Sequence, residues 1–174
     1  MNFVMSQKKR LKIRFTLMNK KNILLVGQAP SRTGLAPLET LTPGSSSGRL
    51  LKMMGISKDE YLDNFVRLNL IDHYPGRLAS GKGDKFPIHE AKRGAVRILS
   101  QFAFPWKILC VGNKVAECFL PKTRIKYYEW MLCVSNHPPA VRDIAVIPHT
   151  SGLNRYWNDP DCVKLAEDFL RKRL

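Results

Sequence analysis

Two short stretches, NILLVG at residues 22–27 and KILCVG at 107–112, constrain the fold more than anything else in the chain. Each is a continuous apolar run closed by glycine. A strand with one wet face alternates apolar and polar residues. An unbroken apolar run belongs instead to a strand covered on both faces, the usual condition in a parallel sheet. NFVRLNLID (64–72) and RDIAVIPH (142–149) supply two further strands. Helical signals fall between them. Ser57 and Glu60 have the spacing of a capping box ahead of YLDNF, and HEAKRGAVRILSQF (89–102) repeats apolar residues at helical spacing. Pro160 suits the first turn of a last helix running through Asp168 to Arg173. This alternation predicts a three-layer α/β/α sandwich around a central, mainly parallel four-stranded sheet. The 174 residues suffice for one domain, over 21–174, behind a basic arm at 1–20.

The charge narrows the partners. There are 29 Lys and Arg against 14 Asp and Glu, a net +15, and no acidic residue precedes Glu39. Such a surface attracts polyanions, with nucleic acid first among them. A membrane surface is disfavoured because no long amphipathic stripe of leucine and aromatic residues backs the charge. The arm reads either as a solvated tail or as a phosphate-tracking segment. It has no signal-peptide pattern, and no apolar run is long enough to span a bilayer, so the protein is read as cytoplasmic; a monomer is expected. Cys110, Cys118, Cys133 and Cys162 form no C-x-x-C pair, which argues for reduced thiols rather than a zinc module or disulfide scaffold.

In parallel α/β sheets ligands collect beyond the carboxyl ends of the strands. Three unusual segments fall there: GQAPSRTG (27–34), NLIDHYPG (69–76) and HTSGLNR (149–155). The first lacks the lysine and the glycine spacing of a phosphate loop, which disfavours a nucleotide-binding protein.

These segments resemble the motifs of the uracil-DNA glycosylase superfamily. The family's first motif reads G-Q-D-P-Y in one branch and G-E-A-P-G in another; here it is Gly27-Gln28-Ala29-Pro30-Ser31. Its last motif, H-P-S-P-L or H-P-S, is matched by His149-Thr150-Ser151-Gly152-Leu153. Asn69 stands where the family has a base-reading asparagine, Pro75 where it often has proline, and SGRLL (47–51) is similar to the start of its first helix. The resemblance runs from about Asn22 to Arg155.

It implies a DNA glycosylase that extrudes a nucleotide and hydrolyses its N-glycosidic bond. His149 then donates a hydrogen bond to a carbonyl oxygen of the departing base, and Asn69 reads the base edge by donating and accepting. The loop that holds Gly27, Ala29, Pro30 and Ser31 binds the base or places water through those of its main-chain amides that carry a hydrogen, all but that of Pro30. Leu153 fills the vacated stack, flanked by Ser151, Gly152 and Asn154, while Arg155, Lys82 and Lys85 meet phosphates. Blander readings stand beside these. His149 caps a strand end, Asn69 is a turn residue, Leu153 covers a core edge, and the basic side chains face solvent. His137, in SNHPPA, is a weaker rival to His149 because no Ser-Gly-Leu follows it.

Three departures from the family pattern matter. The first motif has no Asp or Glu. Gln28 can orient water but cannot take its proton, so Asp72 is the nearest substitute by sequence, or else a turn cap, with Glu39 and Asp84 behind it. Ser31 replaces the tyrosine that excludes 5-substituted pyrimidines, and LTPGSSSG offers no stacking aromatic, which points to a roomier, more polar pocket. No cysteine precedes Cys110, so no iron–sulfur cluster, metal or other cofactor is expected. The missing carboxylate also leaves room for a second reading, a catalytically inactive DNA-binding module.

Overall fold

A computed structural model describes residues 23–32, 37–39, 41–81, 83–102, 106–136, 139–172 and 174. The basic arm over 1–20, Lys82 and His137 lie outside them. Five strands form one sheet: β1 (Ile23–Gly27), β2 (Phe65–Asn69), β3 (Lys107–Val111), β4 (Met131–Asn136) and β5 (Pro139–Ile147). Their spatial order is β2-β1-β3-β5-β4. The first four in that order are mutually parallel, and β4 closes the edge antiparallel to β5.

The sheet therefore has five strands where the sequence predicts four. MLCVSN escapes a search for continuous apolar runs because it is an edge strand. Cys133 turns into the core while Leu132 and Val134 stay exposed, so the segment alternates. The pairing with β4 also starts β5 three residues before the expected Arg142, at Pro139.

Helices cover both faces, as expected of buried parallel strands. On one side lie α1 (Ser46–Met54), α2 (Lys58–Asn64) and α5 (Pro160–Lys172); on the other lie α3 (Ile88–Gln101) and the short α4 (Asn113–Ala116). Alternate residues of β1 divide between the two layers. Leu24 and Val26 pack with Ile98, Ile108 and Val146 under α3. Ile23 and Leu25 pack with Leu50, Tyr61, Leu109 and Phe169 under α1, α2 and α5. Each such side chain, fully buried, contributes about 1.5–3 kcal/mol. The Ser57–Glu60 capping box is formed, with Ser57 Oγ accepting from the Glu60 amide and Glu60 Oε2 from the Ser57 amide.

One contact in this packing prepares the site. A Cβ on Gly94 would lie 1.9 Å from the Leu70 carbonyl oxygen, so α3 presses its backbone directly against the end of β2. The Leu70 and Ile71 amides in turn bond to the Gly27 and Gln28 carbonyls, each at 3.1 Å. The ends of β1 and β2 are thereby locked together.

Candidate active site

The carboxyl ends of β1, β2, β3 and β5 open into a cavity of about 570 Å³. Its wall brings together Gly27 to Ser31, Asn69, His149, Ser151 and Leu153, residues drawn from all three unusual segments. No Phe, Tyr or Trp is among the described residues that line it, and Leu38 with Ser45 to Ser47 closes one side. A second cavity of about 860 Å³ adjoins it, sharing Gln28, Asp84, His149 and Leu153 and adding Lys114, Tyr127 and Arg155.

Asn69 ends β2 directly opposite Gly27 in the parallel register. The two are matched by space: a Cβ on Gly27 would stand 2.7 Å from Asn69 Oδ1. Glycine at the end of β1 lets the amide of Asn69 lie over the first loop. Asn69 is 6% exposed, and its carbonyl accepts from Arg97 Nη2 on α3 at 3.3 Å.

His149 lies two residues beyond β5. Its carbonyl accepts from Trp157 Nε1 and from Asn154 Nδ2, both at 2.8 Å. The Ser151 amide donates to Nδ1 at 3.2 Å. A nitrogen that accepts carries no proton, so neutral His149 holds its hydrogen on Nε2. The ring is reachable by solvent through the cavity but otherwise surrounded by protein, and this desolvation lowers its pKa from 6.5. Asp84 opposes the shift and Lys114 adds to it. The segment that follows is also braced. Arg49 Nη1 on α1 donates to the Ser151 carbonyl at 3.0 Å and to that of Thr150 at 3.4 Å. Tyr156 and Trp157 pack edge to face against each other and, together, against the core under α1, α2 and α5.

Leu153 is 82% exposed at the tip of this segment, where the Asn154 amide closes a turn on the Ser151 carbonyl at 3.1 Å. Around Gly152 there is open space. Asn154 faces inward as a brace, accepting from the Tyr156 amide while it donates to His149. Arg155 lines the second cavity, and Lys85, next in the chain to Asp84, is exposed.

The carboxylate in the wall is Asp84, not Asp72. Arg97 binds both oxygens of Asp72, Nη2 to Oδ1 at 2.8 Å and Nη1 to Oδ2, and Asp72 lines neither cavity. Sequence proximity to Asn69 favours Asp72, but the guanidinium on α3 claims it. Glu39 is likewise paired, with Arg67 at 3.0 Å. Gln28 donates from Nε2 to the Lys85 carbonyl at 3.0 Å, tying the first loop to the residue after Asp84. Leu38 and Arg49 were not foreseen. Leu38, with a positive φ of 52°, forms the apolar wall over Gly27, and Tyr61 Oη holds its carbonyl at 3.1 Å.

The four cysteines are unpaired. Cys118 and Cys133 spend their thiols on the Lys114 and Phe119 carbonyls. Among the described residues no group of three or more His, Cys, Asp or Glu is placed to hold a metal. No helix among them is long and apolar enough to cross a membrane.

No curated protein matches the chain. A family model does, the uracil DNA glycosylase superfamily, over residues 15–171, and the chain belongs to that superfamily, whose members act on the N-glycosidic bonds of DNA.

Proposed function

We propose that the protein is a monofunctional DNA glycosylase that flips a base out of DNA and hydrolyses its N-glycosidic bond, leaving an abasic site. The observation that carries this reading is the Ser151 amide donating to His149 Nδ1, which leaves the hydrogen of the neutral ring on Nε2, in the same cavity wall as Asn69. As the bond breaks, negative charge builds on the base, and the Nε2 hydrogen stabilises it at a carbonyl oxygen. Asn69 reads the base edge, and the loop of Gly27, Ala29, Pro30 and Ser31 forms the floor beneath it. Gln28 orients the attacking water. A Schiff base needs an amine against the sugar; among the described residues no lysine lines the cavity that holds Asn69, and Lys114 lines only the adjoining one, which supports hydrolysis over lyase chemistry.

Leu153 enters the stack that the base vacates. Ser151, Gly152 and Asn154 shape the turn behind it, and Arg155, Lys82 and Lys85 meet the phosphates. The exposure of Leu153 and the net charge of +15 support this mode of binding.

The base is uracil or a bulkier modified pyrimidine. A cavity of this volume walled by Ser31, Leu38 and four further serines supports the larger one. A modified cytosine of phage DNA is such a base, and excising it would serve defence against the phage. The first motif without a carboxylate favours one rival, an inactive glycosylase fold that only binds DNA.

Base release from a panel of DNAs separates the readings: uracil, thymine mismatches, hypoxanthine, and hydroxymethylated and glucosylated cytosine. Abasic sites from one substrate, lost in His149→Ala, are expected. Tight binding with no abasic site on any substrate would instead establish the binding module.

A further inference from the structure

We propose that Asp84 is the carboxylate of the hydrolytic step, delivered to the site by the loop that the Arg77–Asp84 bridge closes rather than by the first motif. The inference rests on the glycosylase reading and supplies the group that the first motif lacks.

Asp84 is the only acidic side chain lining either cavity among the described residues. The other candidates are committed elsewhere, Asp72 to Arg97 and Glu39 to Arg67. The loop presents Asp84 in a defined way. Arg77 and Asp84 form an antiparallel bridge, Lys85 donates its amide to the Gly76 carbonyl at 2.8 Å, and Leu78 donates to that of Gly83 at 3.1 Å. Gly76, Gly81 and Gly83 all have positive φ, which permits so tight a fold. Tyr74 Oη donates to Asp84 Oδ1 at 3.1 Å and so orients the carboxylate, leaving Oδ2 for water.

The link to the first motif is the Gln28–Lys85 hydrogen bond. Through it, the residue beside Asp84 sits one hydrogen bond from the side chain that follows Gly27. Gln28 is thus a positioning residue for the carboxylate as well as a ligand for water. His149 and Asp84 face the same space, and the two ends of the reaction need opposite help. The C1′–N bond breaks with its electron pair leaving on the base, where His149 meets it. C1′ becomes cationic, and the negative charge of Asp84 stabilises it. The water oxygen then bonds to C1′ while its proton passes to Asp84 Oδ2, and from there to solvent or the released base.

The test needs no knowledge of the base. Affinity is measured for two DNAs with abasic analogues, one carrying a cationic pyrrolidine that mimics charged C1′ and one its neutral tetrahydrofuran counterpart. The wild type is expected to prefer the cation by about tenfold, the effect of one close charge pair partly screened by water. Asp84→Asn is expected to abolish that preference while still binding the tetrahydrofuran DNA, which also reports that the variant is folded. Asp84→Glu is expected to restore part of it. A preference that survives Asp84→Asn, or that disappears instead in Asp72→Asn, overturns the proposal. So does tetrahydrofuran binding with no preference in the wild type, an outcome that leaves the glycosylase reading standing. Failure to bind either abasic DNA would overturn that reading together with the proposal.

Discussion

The Ser151 amide donates to His149 Nδ1 at 3.2 Å, so the last motif fixes the tautomer of its own histidine. Protonation of Nδ1 would set two donors against each other. Burial acts in the same direction and lowers the pKa of His149 from 6.5. A depressed folded-state value means the unfolded chain takes the proton first as pH falls. The stability His149 contributes is therefore complete above pH 6.5 and is lost as pH drops through the folded-state value. Urea midpoints of the wild type and His149→Gln are expected to differ more at pH 7.5 than at pH 5. Because all other titrating groups are shared, a gap that is constant or widens toward acid would show that His149 is not held neutral by the fold.

Gly27 and Asn69 occupy each other's space. Alanine at 27 would bring its Cβ within 2.7 Å of Asn69 Oδ1, and the partner is a buried amide with little room to retreat. Overpacking of this kind costs about 1–3 kcal/mol. The expected functional loss is larger. Displacing a substrate-reading group by about 1 Å reduces the rate by about 10²-fold. Single-turnover base release by Gly27→Ala, set beside its thermal stability, checks both expectations.

What was legible in the sequence and what was not divide along physical lines. Leu24, Val26, Leu109 and Cys110 announce their strands because a strand buried on both faces needs no polar residue. Leu132 and Val134 conceal theirs because an edge strand alternates. Asn69 and His149 are legible because each stands in a short motif of the superfamily, and both line the cavity. Arg49 is not, because it acts on main-chain carbonyls 101 and 102 residues away, and carbonyls leave no trace in a sequence. The same holds for Asp72. Its nearness to Asn69 is visible, but Arg97, 25 residues further on, decides where it points.

Arg49 offers a way to disturb His149 without touching it. Its guanidinium is partly buried against the Thr150 and Ser151 carbonyls. Arg49→Met keeps the aliphatic stem and removes the donors, leaving the Thr150 carbonyl without its partner and the Ser151 carbonyl with the Asn154 amide alone, at a cost of about 1–3 kcal/mol. Because Ser151 also holds His149 Nδ1, the loop carrying the histidine should loosen. The rate of base release is expected to fall more than affinity for abasic DNA. An equal loss in both would mean that Arg49 contacts DNA instead of bracing the loop.

Leu153 separates stability from function most cleanly. At 82% exposure it supports almost nothing in the free protein, so Leu153→Ala is expected to change stability by no more than about 0.5 kcal/mol. In a duplex the extruded nucleotide leaves a gap that an apolar wedge can fill, offsetting part of the few kcal/mol of unstacking. In a single strand there is no such gap. Leu153→Ala should therefore slow base release from duplex DNA while leaving single-stranded substrate nearly unaffected. Steady-state assays on the same modified base in both contexts measure this directly. Equal losses on the two substrates would place Leu153 against the flipped nucleotide itself, whereas no loss on either would make it an ordinary exposed side chain.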